Sequence, residues 1–236
     1  MHLTFAGNYG LARLFAGELE AALAPRLGTP PDASRPWLSE TGCAARLGYT
    51  ENQQYEIGIL LRRRFGEAIY RSQLAYHERI EALQRRLAEL RNQTKPTARR
   101  QALFLCREAV ARAPEDWVLH DLIARLLVAL EDADGAAAAW RRVTELIPHW
   151  AVAYTELGKL ARARQDVGGA RAWFRRALEV NPDCAAAYAG LGTIHLREGR
   201  SAEARRLFQR ALRLDPTCEE AVQGLTGTAG GATPGR

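Results

Sequence analysis

From residue 97 onward, apolar and polar positions recur with one fixed step. Prolines stand at 114, 148, 182 and 216, each 34 residues after the last. Trp140, Phe174 and Phe208 precede the last three by eight residues, and Val143, Ala177 and Ala211 precede them by five. Ala102, Ala136, Ala170 and Ala204 stand twelve before the four prolines. Within one step, Tyr154, Leu157 and Ala161 follow the i, i+3, i+7 spacing of one helix face, while Ala170, Phe174 and Ala177 form an answering stripe on a second helix. Gly158 lets that second helix approach the first closely, since it carries no Cβ. Asp134, Asp166 and Ser201 are expected to cap second helices, and Asp116 and Asp183 first helices, by accepting hydrogen bonds from orphan N–H groups. The proline then closes each pair, because it cannot continue a helix.

Leu157-Gly158 and Leu191-Gly192, each three residues after Tyr154 or Tyr188, complete a pattern that resembles the tetratricopeptide repeat, a helix–turn–helix unit with a period of about 34 residues. The resemblance implies an all-α fold: a tetratricopeptide helix–turn–helix solenoid with an N-terminal helical extension. It divides 97–225 into a half unit 97–116, full units 117–150, 151–184 and 185–218, and the start of a capping helix at 219–225. The middle unit matches best. The first departs from the pattern, with His120, Ile123-Ala124 and Leu127 in place of Tyr, Leu-Gly and Tyr.

Upstream, Ile69, Tyr76, Ile80, Leu83, Leu87 and Leu90 have heptad-like intervals broken only by Gln73. They predict one long helix over 66–92, within a segment 66–96, whose seam packs on the first repeat or on another chain. Residues 25–65 read as a linker with a loop, GTPPDASRPW, and two short helices. Residues 226–236 have no periodicity and are expected to be disordered. A further helix is expected over roughly 5–23, with Leu11, Leu14, Phe15, Leu19 and Leu23 on one face that needs an apolar cover. The string His-Leu-Thr-Phe-x-Gly-Asn-Tyr-x-Leu-Ala-Arg resembles the closing Asp-x-x-His block of SGNH/GDSL-type hydrolase domains that carry a tetratricopeptide tail. By that resemblance residues 1–24 are the remnant of the last helix of such a domain, and His2 matches the general-base histidine. The nucleophile block, the oxyanion block and the aspartate have no counterpart in these residues.

Composition narrows the function. The 236 residues are 47% apolar and 25% charged, which fits a folded protein. The net charge is +6, but of 33 basic residues only Lys95 and Lys159 are lysines, a bias that points to GC-rich coding rather than phosphate binding. Arg175-Arg176 and Arg205-Arg206 alternate with Glu179 and Glu203, so no nucleic-acid surface is expected. Cys43, Cys106, Cys184 and Cys218 lack CxxC spacing or a histidine pair, so no metal and no cofactor are expected. His77, His120, His149 and His195 are scattered. Acyl transfer needs nucleophile, base and orienting carboxylate within hydrogen-bond reach, so the chain as it stands is not expected to be an enzyme. No membrane span or signal peptide is legible, and the cytoplasm is the expected location.

In tetratricopeptide proteins, columns two, five, nine and twelve of each first helix usually meet a peptide. Here they are Val118, Asp121, Arg125 and Val128, then Val152, Thr155, Lys159 and Arg162, then Ala186, Ala189, Thr193 and Leu196. The resemblance thus implies a groove of Asp121, Arg125, Thr155, Lys159, Arg162 and Thr193, whose cations suit an acidic peptide. The dicarboxylate clamp of chaperone-binding members is not reproduced, because Asp121 occupies the place of its first lysine. The expected function is a protein-interaction scaffold. The alternative is the C-terminal part of an SGNH-type esterase or acyl-modifying enzyme whose catalytic core lies upstream.

Overall fold

The computed structural model describes residues 8–16, 38–65 and 76–229, whose regular elements are all helices joined by turns, with no strand among them. The chain divides into two compact units, Met1–Arg91 and Asn92–Arg236. No helix among the described residues is long and apolar enough to cross a membrane.

In the first unit, helix α1 covers residues 8–16, followed by α2 (Glu40–Arg46), α3 (Glu51–Phe65) and α4 (Tyr76–Leu90). Ser39 caps α2, its Oγ accepting from the Gly42 N–H at 3.0 Å. The expected linker helices are present, though α3 is four turns long rather than short. The seam of α4 finds a partner the periodicity did not suggest. Leu83 and Leu87 lie against Gly58 of α3, where an added Cβ would come within 2.8 Å of Leu87 Cδ2. The seam ends at Leu90 and gives way to a 3-10 turn, Arg91–Thr94, rather than running on to residue 92; residues 66–75 lie outside the described residues. Leu11, Leu14 and Phe15 of α1 remain exposed, and Leu19 and Leu23 lie outside the described residues.

The second unit stacks α5 (Pro96–Arg112), α6 (Trp117–Ala129), α7 (Ala133–Leu146), α8 (Ala151–Ala163), α9 (Val167–Val180), α10 (Ala185–Arg197), α11 (Ser201–Leu214) and α12 (Glu219–Ala229). Each aromatic of the repeat column anchors its own cluster: Trp140 with Ala102, Cys106, Ala124 and Val143; Phe174 with Ala170, Ala177 and Ala187; Phe208 with Ala204, Ala211 and Ala221. Large against small is therefore the packing rule, and the rings of Phe174 and Phe208 are fully buried.

The turn between first and second helices also repeats. Glu131 (φ 64°), Gln165 (φ 63°) and Gly199 (φ 76°) stand one step apart in the left-handed region. After each, a backbone N–H returns to the helix: Asp132 to Leu127 O at 2.9 Å, Asp166 to Ala161 O at 3.0 Å and Arg200 to His195 O at 2.9 Å. That reversal satisfies the last carbonyls of the first helix.

Capping agrees at Asp116, which accepts from Val118 N, and at Asp166, which accepts from Gly169 N. It differs elsewhere. Asp132, not Asp134, caps α7 by accepting from Gly135 N. Arg200 holds that place before α11, so Ser201 is already helical; Cys184 holds it before α10, with Asp183 one residue outside. The second-helix caps stand 34 residues either side of Asp166 and the first-helix caps 34 apart at Asp116, Trp150 and Cys184, so side-chain type alone shifted the expectation by one or two positions. At the C-terminus α12 continues to Ala229, so residues 226–229, expected in a disordered tail, are helical. Packing of its first turns through Ala221 and Gly224 supplies what the weak helix formers lack. Residues 230–236 lie outside the described residues.

Candidate functional site

The six expected groove residues all lie on first helices, and each is already engaged. Asp121 is buried, yet both its oxygens are used: Oδ1 accepts from the indole Nε1 of Trp140 at 3.0 Å and Oδ2 from Arg125 Nε at 2.7 Å. Thr155, also buried, donates to Val152 O at 2.7 Å. Lys159 Nζ meets Glu156 Oε1 at 2.7 Å. Arg162 pairs with Glu220, and its guanidinium carbon stands 6.0 Å from the centre of the Phe174 ring. Thr193 Oγ1 lies 3.1 Å from Ala189 O and 2.8 Å from Glu220 Oε1.

Arg125, Lys159 and Arg162 therefore do not make a bare basic stripe. Each carries a carboxylate from its own chain, two of them within one turn of the same helix. Glu220 is a residue that sequence reasoning missed. It stands 34 residues after Ala186, in column two of the capping helix, so the period itself held the signal.

On the helices that carry these pairs, Val118, Val128 and Val152 are exposed, at 40%, 44% and 37%. Val118 and Val152 share column two of adjacent units. At the C-terminal end a cleft of about 600 Å³ opens, lined by Arg162, Thr193, Leu196, Arg197, Phe208 and residues of α12 including Glu220.

The histidines have structural roles where their contacts are seen. His120 Nε2 donates to Pro114 O at 2.9 Å, and one step later the Tyr154 hydroxyl donates to Pro148 O at 3.0 Å. The two side chains make the same contact from the same column. His195 is held below its ordinary pKa by burial first, then by the charges of Arg200 and Arg171. Burial pushes the Cys106 thiol up to about 11, which keeps it protonated and poorly nucleophilic. Among the described residues no group of three His, Cys, Asp or Glu is placed to hold a metal ion. His2 lies outside them.

A family model described as tetratricopeptide repeat matches residues 122–179 and 155–217. Among solved structures, the chain is similar to that of "Crystal structure of MamA", at 18% identity and a TM-score of 0.51, covering 60% of this chain and 82% of that one. It is also similar to a chain of the APC/C hetero-tetramer Cut9-Hcn1, at 15% identity and a TM-score of 0.50, covering 60% of this chain and 28% of that one. These likenesses show the fold. No curated protein matches the sequence.

Proposed function

We propose that this tetratricopeptide-repeat protein is an interaction scaffold that binds an extended protein segment along its first helices, without catalysis of its own. One observation carries the reading. Val118 and Val152 are exposed in the same column of adjacent units, and Val128 is exposed at the other end of α6, while the remaining large apolar side chains of α6 and α8 are buried or half-buried. A folded array that leaves one ladder of β-branched side chains in water, flanked by ion pairs, offers a segment both apolar contact and polar registration.

Panning a displayed peptide library on the full chain tests this. The expected result is enrichment of peptides that Val118→Asp/Val152→Asp fails to bind while its thermal melt stays near that of the parent. Enriched peptides that bind the double variant equally would place the site elsewhere, and no enrichment would sink the reading.

A further inference from the structure

We propose that the cleft between α8, α10 and α12 is a seat for the carboxylate of an acidic residue in a bound segment, and that Glu220 occupies this seat until such a residue displaces it. The inference rests on the first-helix face being the binding face.

Glu220 ties α12 to two earlier first helices. It reaches Arg162 of α8, 58 residues away, and Thr193 of α10, 27 residues away. Those partners occupy columns twelve and nine, positions that face a ligand in the proposed mode. The seat is pre-formed: Arg162, with a side chain only 18% exposed, is fixed by the Phe174 ring beneath its guanidinium. Leu196 and Phe208 add an apolar wall, which strengthens a charge-assisted bond made beside it.

The charges that line the cleft balance, Arg162 and Arg197 against Glu219 and Glu220. Glu220 accepts from both Arg162 and Thr193 through Oε1, whereas Arg197, exposed on the same wall, makes no hydrogen bond or ion pair among the described residues. Arg162 spends one of its donors on Glu220 and keeps others for a second acceptor. The seat already holds one carboxylate oxygen between Arg162 and Thr193, so a ligand carboxylate can take the place of Glu220 and keep the balance, which a ligand ammonium cannot.

Thr193 supplies the means of exchange. Its hydroxyl has one proton and two acceptors within reach, Glu220 Oε1 at 2.8 Å and Ala189 O at 3.1 Å. When Glu220 leaves, the proton turns to Ala189 O and no donor is stranded. Glu220 itself, on the first turn of α12 with a side chain 26% exposed, has a short path into water. The intramolecular carboxylate therefore competes with the ligand's and sets a threshold on affinity, as any occupied binding-incompetent state does.

The experiment is anisotropy titration of fluorescein-labelled hexaglutamate into the full chain, with hexalysine as the charge control and circular-dichroism melts to confirm folding. Glu220→Gln is expected to bind hexaglutamate about tenfold more tightly than the parent, since it removes a charge-assisted competitor. Arg162→Gln in that background is expected to abolish the gain, and Arg197→Gln to halve it or more. Unchanged affinity in Glu220→Gln, or a gain that survives Arg162→Gln, would overturn the proposal. Thr193→Val, which disturbs no charge, gives a second route: it too should tighten binding, and weaker binding would count against the exchange. A non-acidic peptide enriched by panning separates the two readings. If it binds parent and Glu220→Gln alike while hexaglutamate shows no gain, the scaffold stands and the seat falls.

Discussion

The ring of Phe174 fills the space that a side chain on Gly190 would need: an added Cβ would lie 2.4 Å from its Cζ. Gly158, in the first helix of the same unit, stands in a similar relation, with an added Cβ 2.7 Å from Cε1. One aromatic thus requires a glycine from its own unit and another from the next. Phe208 repeats the arrangement with Gly192 and Gly224. In the first full unit the corresponding positions are Ala124 and Glu156, and there the ring is Trp140, held by its hydrogen bond to Asp121. The aromatic and the two positions that receive it vary together along the array.

Gly190→Ala should therefore destabilise the array by about 1–3 kcal/mol through overpacking. Phe174→Ala alone should cost about 3–5 kcal/mol, as a buried Phe does. Combined, the two should cost less than their sum, because the alanine methyl enters the space the ring vacates. Urea denaturation of the four species closes the cycle, and strict additivity would mean that ring and glycine do not meet.

The left-handed turn column gives a conformational prediction. Gln165 adopts φ 63° without being glycine, so Gln165→Gly should raise stability by about 1 kcal/mol. Gly199→Ala should lower it by a similar amount, although an added Cβ there meets nothing within 4 Å. A shift of the thermal midpoint in the same direction for both variants would rule out the backbone as the cause.

His120 and Tyr154 perform the same contact to a proline carbonyl. His120→Tyr is accordingly expected to keep stability within a few tenths of a kcal/mol, whereas His120→Phe should lose about 0.5–1.5 kcal/mol with the hydrogen bond. Chemical denaturation compares the three.

Cys106 should resist modification in the folded chain. Its thiol titrates near 11 rather than 9.0, so raising the pH from 7 to 9 creates almost no thiolate there. Ellman's reagent followed by peptide mapping should label Cys106 only after unfolding. The folded state favours the neutral thiol, so this contribution is fully present below pH 9 and is lost as the pH rises through about 11. Cys106→Ala should flatten the fall of stability across that window.

Lys159 and Glu156 form a pair with side chains 39% and 24% exposed. Lys159→Glu should change stability by less than about 1 kcal/mol, since exposed pairs contribute little. It should weaken an acidic peptide and reduce the salt dependence of its binding. Unaltered binding would leave Lys159 as a solvated partner of Glu156 alone.

The 34-residue step was legible because every unit must bury the same face on its neighbours, so the columns Ala170, Phe174 and Ala177 recur wherever the fold recurs. That is why helix order, the buried aromatics and the first-helix face could be read from residues 97–225 directly. Cap positions were less legible, because aspartates and serines cluster at turns and only the backbone path selects Asp132 over Asp134. The extent of α12 was hidden as well, since TGTA has little intrinsic helicity and its helix is secured by packing at Ala221. The first-helix face shows the division most clearly. Periodicity placed Arg125, Lys159 and Arg162 on one face, but a column records direction and not partners. The pairs Asp121–Arg125 and Glu156–Lys159 are local to one helix, whereas only the three-dimensional stacking of helices, which brings residues 58 apart in the chain into contact, decided that Glu220 meets Arg162.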